Sequence, residues 1–387
     1  MARNRRRTLA LAIGAALAVS LAIGIGTAAA GKRSGAAASP LRQACGPKLV
    51  VQTDWFPEPE HGFIYQLAGT NGTLDTKKGR YTGTIKGTGV QLEIRAGGPF
   101  TGFQQPISQI YQDSSIDVAY ATSDEQIQLA KKLPLVSIVA PDEFSPQILM
   151  WNPQKLNIKK FADIKGTGAK VLVFAGGAWI DYLVGRGWVD QKQVDTSYDG
   201  SPARFVASDG AIIQQGFVTS EPYLYEHDIP AYGKPVSYLL IKNSGYVPYP
   251  QTLAVRAADV RKRAACWKLF VPLVQRAQVD YMRSPKAVND KLLQIVTALN
   301  TFWKLTPGGN AYNTAAQRRL GIVSNGPDCT LGNFSMKRLQ QVINQVNPIF
   351  QAKGLDTINP ELKASQIATN QFIDPKIGLA KKGCPKR

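Results

Sequence analysis

Apolar positions follow two rhythms along the chain. In the first half they form short β-branched or alternating runs, each followed by a polar, glycine-bearing turn and then a stretch with helical spacing. Leu49-Val50-Val51-Gln52-Thr53 predicts a first strand and His61 to Leu67 the helix after it. Val90-Gln91-Leu92-Glu93-Ile94 predicts a second strand, closed by Gly97-Gly98-Pro99, with a helix over 102–112. Ile116 to Tyr120 is a third strand, and Asp124 caps a helix running to Leu133. Leu135 to Ala140 is a fourth strand, while 69–89, rich in Gly, Thr and Lys, reads as a loop or loose hairpin. Helix-length connections between strands imply parallel neighbours.

A second unit with the same rhythm starts after Trp151. Lys170 to Phe174 is its apolar strand, Ala178 to Gly187 a helix, Ala211 to Val218 another strand region, and Val236 to Ile241 a further strand. From Asp259 the spacing becomes helical. Cys266, Phe270, Leu273 and Val274 share a face, as do Leu292, Leu293, Val296 and Leu299, and Leu339, Val342 and Val346 lie in a helix from Met336 to Phe350. The expected architecture is α/β, with two lobes around a cleft. Residues 48–145 and the helical 251–387 form the first lobe, and 146–250 the second.

The ends of the chain change this picture. Arg3, Arg5, Arg6 and Arg7 head an uncharged run from Thr8 to Ala30, the order of an export signal over 1–30, with an uncleaved anchor as the alternative. Residues 31–47 read as a flexible leader. Cys45 follows Leu41-Arg42-Gln43-Ala44, with Arg where a lipid-anchor signal has an apolar residue. The 387-residue chain carries a formal charge of +19, and about +15 remains without the four arginines of the head. The basic residues are scattered, except for Lys77-Lys78-Gly79-Arg80 and the tail with Lys381-Lys382 and Lys386-Arg387, and neither run is interleaved with aromatics. We therefore expect no nucleic-acid partner, and attraction to an anionic envelope surface instead. Four widely spaced cysteines in an exported chain favour disulfides and exclude a CxxC motif. Of the three pairings, Cys266–Cys329 with Cys45–Cys384 is the expected one.

Signatures of enzyme chemistry are missing. There is no GxSxG elbow, no GxxxxGK[ST] loop, no GxGxxG after a strand, and neither His61 nor His227 sits in a metal-ligand pattern. No cofactor or metal is expected. Polar and aromatic residues gather instead at predicted strand ends: Asp54-Trp55 with His61, then Gly97-Gly98, Tyr120 with Thr122, Gly177-Ala178-Trp179, and Glu221-Pro222-Tyr223. Strand carboxyl ends are where open α/β sheets bind ligands, and aromatic faces with carboxylate edges suit a planar solute. Trp55, Tyr120 and Trp179 each have an ordinary packing role as the alternative, and His61 that of a helix cap.

Asp54-Trp55-Phe56-Pro57-Glu58-Pro59-Glu60-His61-Gly62, followed by Tyr65, resembles the opening of the nitrate/sulfonate/taurine and thiamine-pyrimidine-precursor (NMT1-like) group of ABC solute-binding proteins. Asp117-Val118-Ala119-Tyr120, Asp163-Ile164-Lys165-Gly166 and the segment Gln215 to Tyr223 resemble later motifs of that group, in the same order. The resemblance spans about Leu49 to Arg256. It implies a type II periplasmic-binding-protein fold, import of a small organic solute, and partnership with a membrane permease and ATPase. It places Asp54, Trp55, His61 and Glu221 at the ligand; Tyr65, Gly98, Tyr120, Thr122, Gly177, Trp179 and Tyr223 complete the expected site. Glu58 stands where the group has Asn, and the lysine-rich stretch 73–89 replaces a shorter connection.

Acidic residues in that cleft (Asp54, Glu58, Glu60, Glu221) disfavour a sulfonate or nitrate, which want cationic or amide donors, and favour a nitrogen heterocycle such as an aminopyrimidine. The expected protein is thus a monomeric, exported solute binder that works by lobe closure about crossings near Ser145 and Gln251. A sulfonate-type binder, an envelope protein that has lost transport, and a pyrimidine-synthase-like or hydrolytic enzyme are the alternatives.

Overall fold

A computed structural model describes residues 38–326, 328–380 and 384. The export signal, the first part of the leader and the basic tail residues Lys381, Lys382, Lys386 and Arg387 lie outside the described residues. The chain becomes ordered earlier than its composition suggested. Ser39 accepts a hydrogen bond from the Arg42 backbone and caps a helix over Pro40–Cys45, which buries Leu41.

Twelve strands build two sheets. They are β1 (Lys48–Gln52), β2 (Thr73–Asp75), β3 (Arg80–Ile85), β4 (Val90–Arg95), β5 (Val118–Ala121), β6 (Leu135–Val139), β7 (Gln147–Trp151), β8 (Val171–Leu172), β9 (Val194–Asp195), β10 (Ile213–Phe217), β11 (Ser237–Leu240) and β12 (Thr252–Arg256). The first sheet runs β2-β3-β4-β1-β5-β12-β6 and the second β11-β7-β10-β8-β9. Parallel pairing holds where helices intervene, at β1–β4, β1–β5, β10–β8 and β8–β9. Both sheets are nevertheless mixed. β12 returns antiparallel between β5 and β6, and β7 runs antiparallel between β10 and β11. Of the two readings for 69–89, the hairpin is the one found, as an extension of the first sheet. Tyr81 and Ile85 turn inward from β3, and Tyr81 donates to the Gly69 carbonyl and accepts from the Gly72 amide.

Each lobe has its own core. Leu49, Val51, Leu92 and Ile94 pack against Trp267, Phe270 and Val274 of the helix Ala264–Arg283 and Leu292 of the helix Lys286–Leu299. Full burial of each such side chain contributes about 1.5–3 kcal/mol. In the second lobe Leu149, Trp151, Ile164 and Val173 pack against Leu339, Val342, Val346 and Phe350. The last four belong to the helix Met336–Ala352, so the helical tail is shared between lobes rather than confined to the first. The helix Pro307–Arg319 crosses in the same way: Trp303 and Leu305 before it join the first core, and Leu320 and Ile322 after it join a cluster with Ile148, Met150 and Phe205.

The chain passes from the first sheet to the second between Val139 and Gln147, and returns between Leu240 and Thr252. Arg338 ties these crossings together. It donates to Glu143 Oε1 at 2.8 Å, to the Glu143 carbonyl at 2.7 Å, and to the Val247 and Pro248 carbonyls at 2.7 and 3.0 Å. Its guanidinium also stacks 3.9 Å from the Tyr249 ring centroid.

The disulfides are Cys45–Cys266 and Cys329–Cys384, which corrects the expected pairing. Cys266 opens the helix Ala264–Arg283, against which the helix Pro40–Cys45 packs. Cys329 sits in a loop that holds the tail: Leu331 donates to the Ile377 carbonyl and Asn325 to that of Leu379. Non-reducing peptide mapping should recover peptides linked through these two pairs and none linked through Cys266 and Cys329. Replacing both Cys45 and Cys266 with Ala should cost about 2–5 kcal/mol in a urea melt, because the cross-link closes a long loop.

Candidate functional site

The segment after β1 and the one after β4 are stitched together at the interlobe face. Gly97 donates to the Trp55 carbonyl at 2.9 Å, and Gly98 to that of Asp54 at 3.1 Å. Glycine is required at 97, since a Cβ there would stand 2.5 Å from the Asp54 carbonyl. This turn leaves Asp54 with 33% of its side chain exposed and drives His61 into full burial beneath it. His61 Nε2 lies 2.8 Å from Asp54 Oδ1 and 3.5 Å from Glu58 Oε1, while the Gln251 amide donates to Asp54 Oδ2 at 3.1 Å. Gln251 holds a left-handed backbone, φ 41°, at the end of the second crossing.

Carboxyl groups accumulate around this point. Glu58, Glu60 and Asp142 are buried, Glu125 and Glu221 half-buried. Glu60 joins the lobes: it accepts from Asn313 Nδ2 at 2.9 and 2.8 Å and from the Thr219 hydroxyl of the second lobe. Glu221 Oε2 accepts from the Phe217 amide at 2.6 Å, and Gln105 donates to Glu125 at 3.2 Å. Asp142 has no hydrogen-bond partner on either oxygen; Glu58 Oε1, Gln251 Oε1, the Tyr120 hydroxyl and His61 Nδ1 also lack one. Among the described residues, no Lys or Arg makes an ion pair with Asp54, Glu58, Glu60, Glu125, Asp142 or Glu221. Nor does any group of His, Cys, Asp and Glu there have the arrangement of a metal site.

Burial without a cation displaces these acidities. Desolvation, then the charges of Glu60, Asp54 and Glu221, raise Glu58 well above the ordinary range, and desolvation with Glu60 and Asp54 does the same to Asp142. Glu60 is raised by burial against the opposing bonds from Thr219 and Asn313. Burial pushes Glu221 to about 7, and burial with Asp124 and Asp54 pushes Glu125 to about 8. Asp54 goes the other way: burial raises it, but the hydrogen bond and charge of His61, with the Gln251 amide, leave it lowered.

Aromatic rings roof the acidic groups. Trp55 contacts Phe103, Phe174 and Trp303 at centroid distances of 6.0, 5.4 and 5.8 Å, and Phe174 belongs to the second lobe. Phe103 is 51% exposed and has φ 61°. Between the lobes a cavity of about 30 Å³ is lined by Glu58, Glu60, Tyr223, Asp228, Trp303 and Asn313. A water fits there, a heterocycle does not; the lobes lie closed on one another.

Of the residues singled out in the sequence, Asp54, Trp55, His61, Gly98 and Tyr120 come together beside this cavity, Glu221 acts on Glu58 from the second lobe, and Tyr223 lines the cavity itself. Tyr65 is packed in the first core, 5.6 Å from the Tyr81 ring. Tyr120 is wholly buried, edge-on to His61 at 5.0 Å, so it floors the site. Thr122 bonds Glu125 at the start of the helix Ser123–Leu129. Gly177 precedes the helix Ala178–Gly185, and Trp179 folds back so that a Cβ on Gly177 would lie 2.9 Å from its indole nitrogen. Tyr223 is covered by the helix Pro307–Arg319: a Cβ on Gly308 would lie 2.0 Å from its hydroxyl. Glu125, Asp142, Gln251, Thr219 and Asn313 complete the site. Gly309-Asn310 and Asn313 carry no motif, and Asp142 signals itself only as a charge directly after an apolar strand.

No protein-family model matches the chain, and no curated protein matches it in sequence. Solved structures do. The periplasmic aliphatic sulphonate binding protein SsuA from Escherichia coli superposes with a TM-score of 0.54 at 14% identity, over 88% of this chain and 96% of that one. The alkanesulfonate-binding protein SsuA from Xanthomonas axonopodis pv. citri, bound to MOPS, gives 0.53 at 11%, over 84% and 99%. A putative sulfonate ABC transporter protein, the periplasmic sulfonate-binding SsuA from Methylobacillus flagellatus, gives 0.50 at 12%, over 84% and 92%. The fold is that of the periplasmic binding proteins.

The buried carboxyls set a pH dependence. A carboxyl raised in the folded state keeps its proton after the unfolded chain has lost its own, so its contribution is full below the unfolded value and is lost as pH rises through the folded one. Between pH 5 and 8 the melting temperature should therefore fall, most steeply around pH 6, where folded Glu221 and Glu125 keep protons that the unfolded chain has lost, and level off as pH passes about 7 and 8, where they titrate. Glu221→Gln should flatten this slope, as differential scanning calorimetry across that range would show.

Proposed function

We propose that this chain is an extracytoplasmic solute-binding protein of an ABC importer. It captures a small organic solute bearing a nitrogen heterocycle, of the aminopyrimidine type, and hands it to a permease and ATPase. The observation that carries this reading is the set of carboxyls between the lobes with no lysine or arginine paired to them, roofed by Trp55, Phe103 and Phe174. Such a lining offers acceptors to ring and exocyclic N–H groups and flat faces to the ring. A sulfonate or nitrate would face negative charge from both lobes without a cationic clamp. The sulfonate ligands named for the similar structures thus fit this lining poorly, although the fold is shared.

Capture requires the lobes to part, because Glu60 holds Thr219 and Asn313 where a solute has to enter. A ligand that replaces these bonds favours closure by its differential affinity for the closed state. The two disulfides suit an oxidising compartment outside the cytoplasm. No helix among the described residues is long and apolar enough to cross a membrane.

A thermal-shift screen of the mature protein against aminopyrimidines, other nitrogen heterocycles, polyamines, taurine, alkanesulfonates and nitrate tests this reading. A ligand at a hundred times its dissociation constant stabilises by about 2.7 kcal/mol, a shift of a few degrees. A response to one heterocycle is expected, with binding about 10- to 100-fold weaker in Glu221→Gln, which loses a charged acceptor. A response confined to sulfonates would replace the ligand class. Silence from ligand-free protein would favour an envelope role without transport.

A further inference from the structure

The solute-binding reading leaves an imbalance at the site. Asp54, Glu58, Glu60, Glu125, Asp142 and Glu221 gather at the interlobe face, with Glu58 and Glu60 lining the small cavity, and among the described residues His61 is the one basic side chain paired with any of them. The start of the helix Gly62–Ala68 brings His61, β5 brings Tyr120, the helix Ala264–Arg283 brings Tyr281, and the helix Pro307–Arg319 brings Asn310 and Asn313. Arg318 acts on Tyr281, Lys304 lines the small cavity at its exposed rim, and Asp228 on the far side is bonded by Thr306. Acceptors outnumber donors. Glu58 Oε1, Gln251 Oε1 and both Asp142 oxygens have no partner, although Glu58, Gln251 and Asp142 are 4%, 4% and 1% exposed. Tyr120, wholly buried with an unpartnered hydroxyl, lies within electrostatic reach of Asp54, Glu58 and Asp142, which places it at the centre of the group.

Carboxylates this close, dry and unpaired do not all ionise together. His61 stands against Asp54 and Glu58 only, so with no solute bound the remaining carboxyls are kept neutral by protons. We propose that the interlobe space is a cation–proton exchange site: an organic cation seats its charged nitrogen against Glu58, where the Glu58 Oε1 and Gln251 Oε1 acceptors are unpartnered, while the buried carboxyls release a proton to water. The O–H bond breaks with its electron pair left on the carboxylate oxygen, and the cation's N–H groups or positive charge take the place of the lost proton. The ligand is therefore held as a cation, and its affinity weakens as the medium acidifies. An anion entering the same space would do the opposite and take protons up.

Isothermal titration of the mature protein with a permanently cationic probe, an N-methylated aminopyridinium, in buffers of different ionisation enthalpy reads the exchange directly. About one proton should be released per probe bound at pH 7, and the dissociation constant should rise by up to about tenfold per pH unit between 7 and 5. Glu58→Gln should lower the proton count; should that variant fail to fold, the buffer dependence of the native protein decides alone. Binding whose heat is independent of buffer overturns the exchange and leaves the importer reading intact. Binding of a neutral aminopyrimidine but not of the fixed cation overturns it too. Proton uptake with an alkanesulfonate, and no heat from the cation, overturns it and replaces the ligand class. No heat from any probe ends the solute-binding reading itself, and the exchange with it.

Discussion

Carboxylates held out of water without a counter-cation are the constraint around which the rest of this structure is arranged. An ionised carboxylate moved into a protein interior costs several kcal/mol unless it is paired and hydrogen-bonded. Most acidic side chains elsewhere in the chain meet that demand with lysine or arginine, as Glu93 does with Lys48 and Arg95, and Asp195 with Arg204. Between the lobes the demand is met in other ways: by His61 for Asp54, by amides and a hydroxyl for Glu60, by a backbone N–H for Glu221, and by nothing for Asp142. A chain with 46 Lys and Arg residues has ample cations to place there. Among the described residues none of them pairs with these carboxyls, and in the proposed function the solute supplies the positive charge.

The scaffold keeps this costly arrangement by tying the lobes at several points away from it. Arg338 clamps both crossings through bonds to Glu143, Val247 and Pro248 and sits on Tyr249. Burial raises Glu143 to about 7 even against the Arg338 guanidinium, so this clamp too is sensitive to protons. The helix Pro307–Arg319 spans the gap on the other side. Tyr312 donates to the Val218 carbonyl, Thr306 to Asp228, and Asn313 to Glu60, so one helix reads the position of both lobes.

Local pattern was enough to set the secondary structure and the lobe-scale plan. β-Branched runs at Leu49–Gln52 and Leu135–Val139 became strands because their side chains favour a pleated, buried surface, and the stripe Cys266, Phe270, Val274 became a helix face on the first core because helical spacing puts those residues side by side. That Asp54, Trp55, His61 and Glu221 lie at the ends of strands facing the other lobe was legible, because strand ends in such sheets converge on a crevice whatever their sequence. What pattern did not carry was strand direction at β7 and β12, since the apolar content of a buried strand is the same whichever way it runs. The hairpin β2–β3 was one of two readings left open for 69–89, because glycine and threonine weaken its alternation.

The sequence by itself determined two lobes, the helices after Asp259 and an acidic, aromatic strand-end segment, because each of these depends on side-chain chemistry repeated at short range. Only the tertiary structure decided which carboxyls share one dry space, that Tyr65 belongs to the core and Asn313 to the site, and how the cysteines pair. Those outcomes depend on residues brought together from far along the chain, as Glu60, Thr219 and Asn313 are, or Cys45 and Cys266. A contact of that kind is set by packing summed over whole elements, and no short window of sequence contains it.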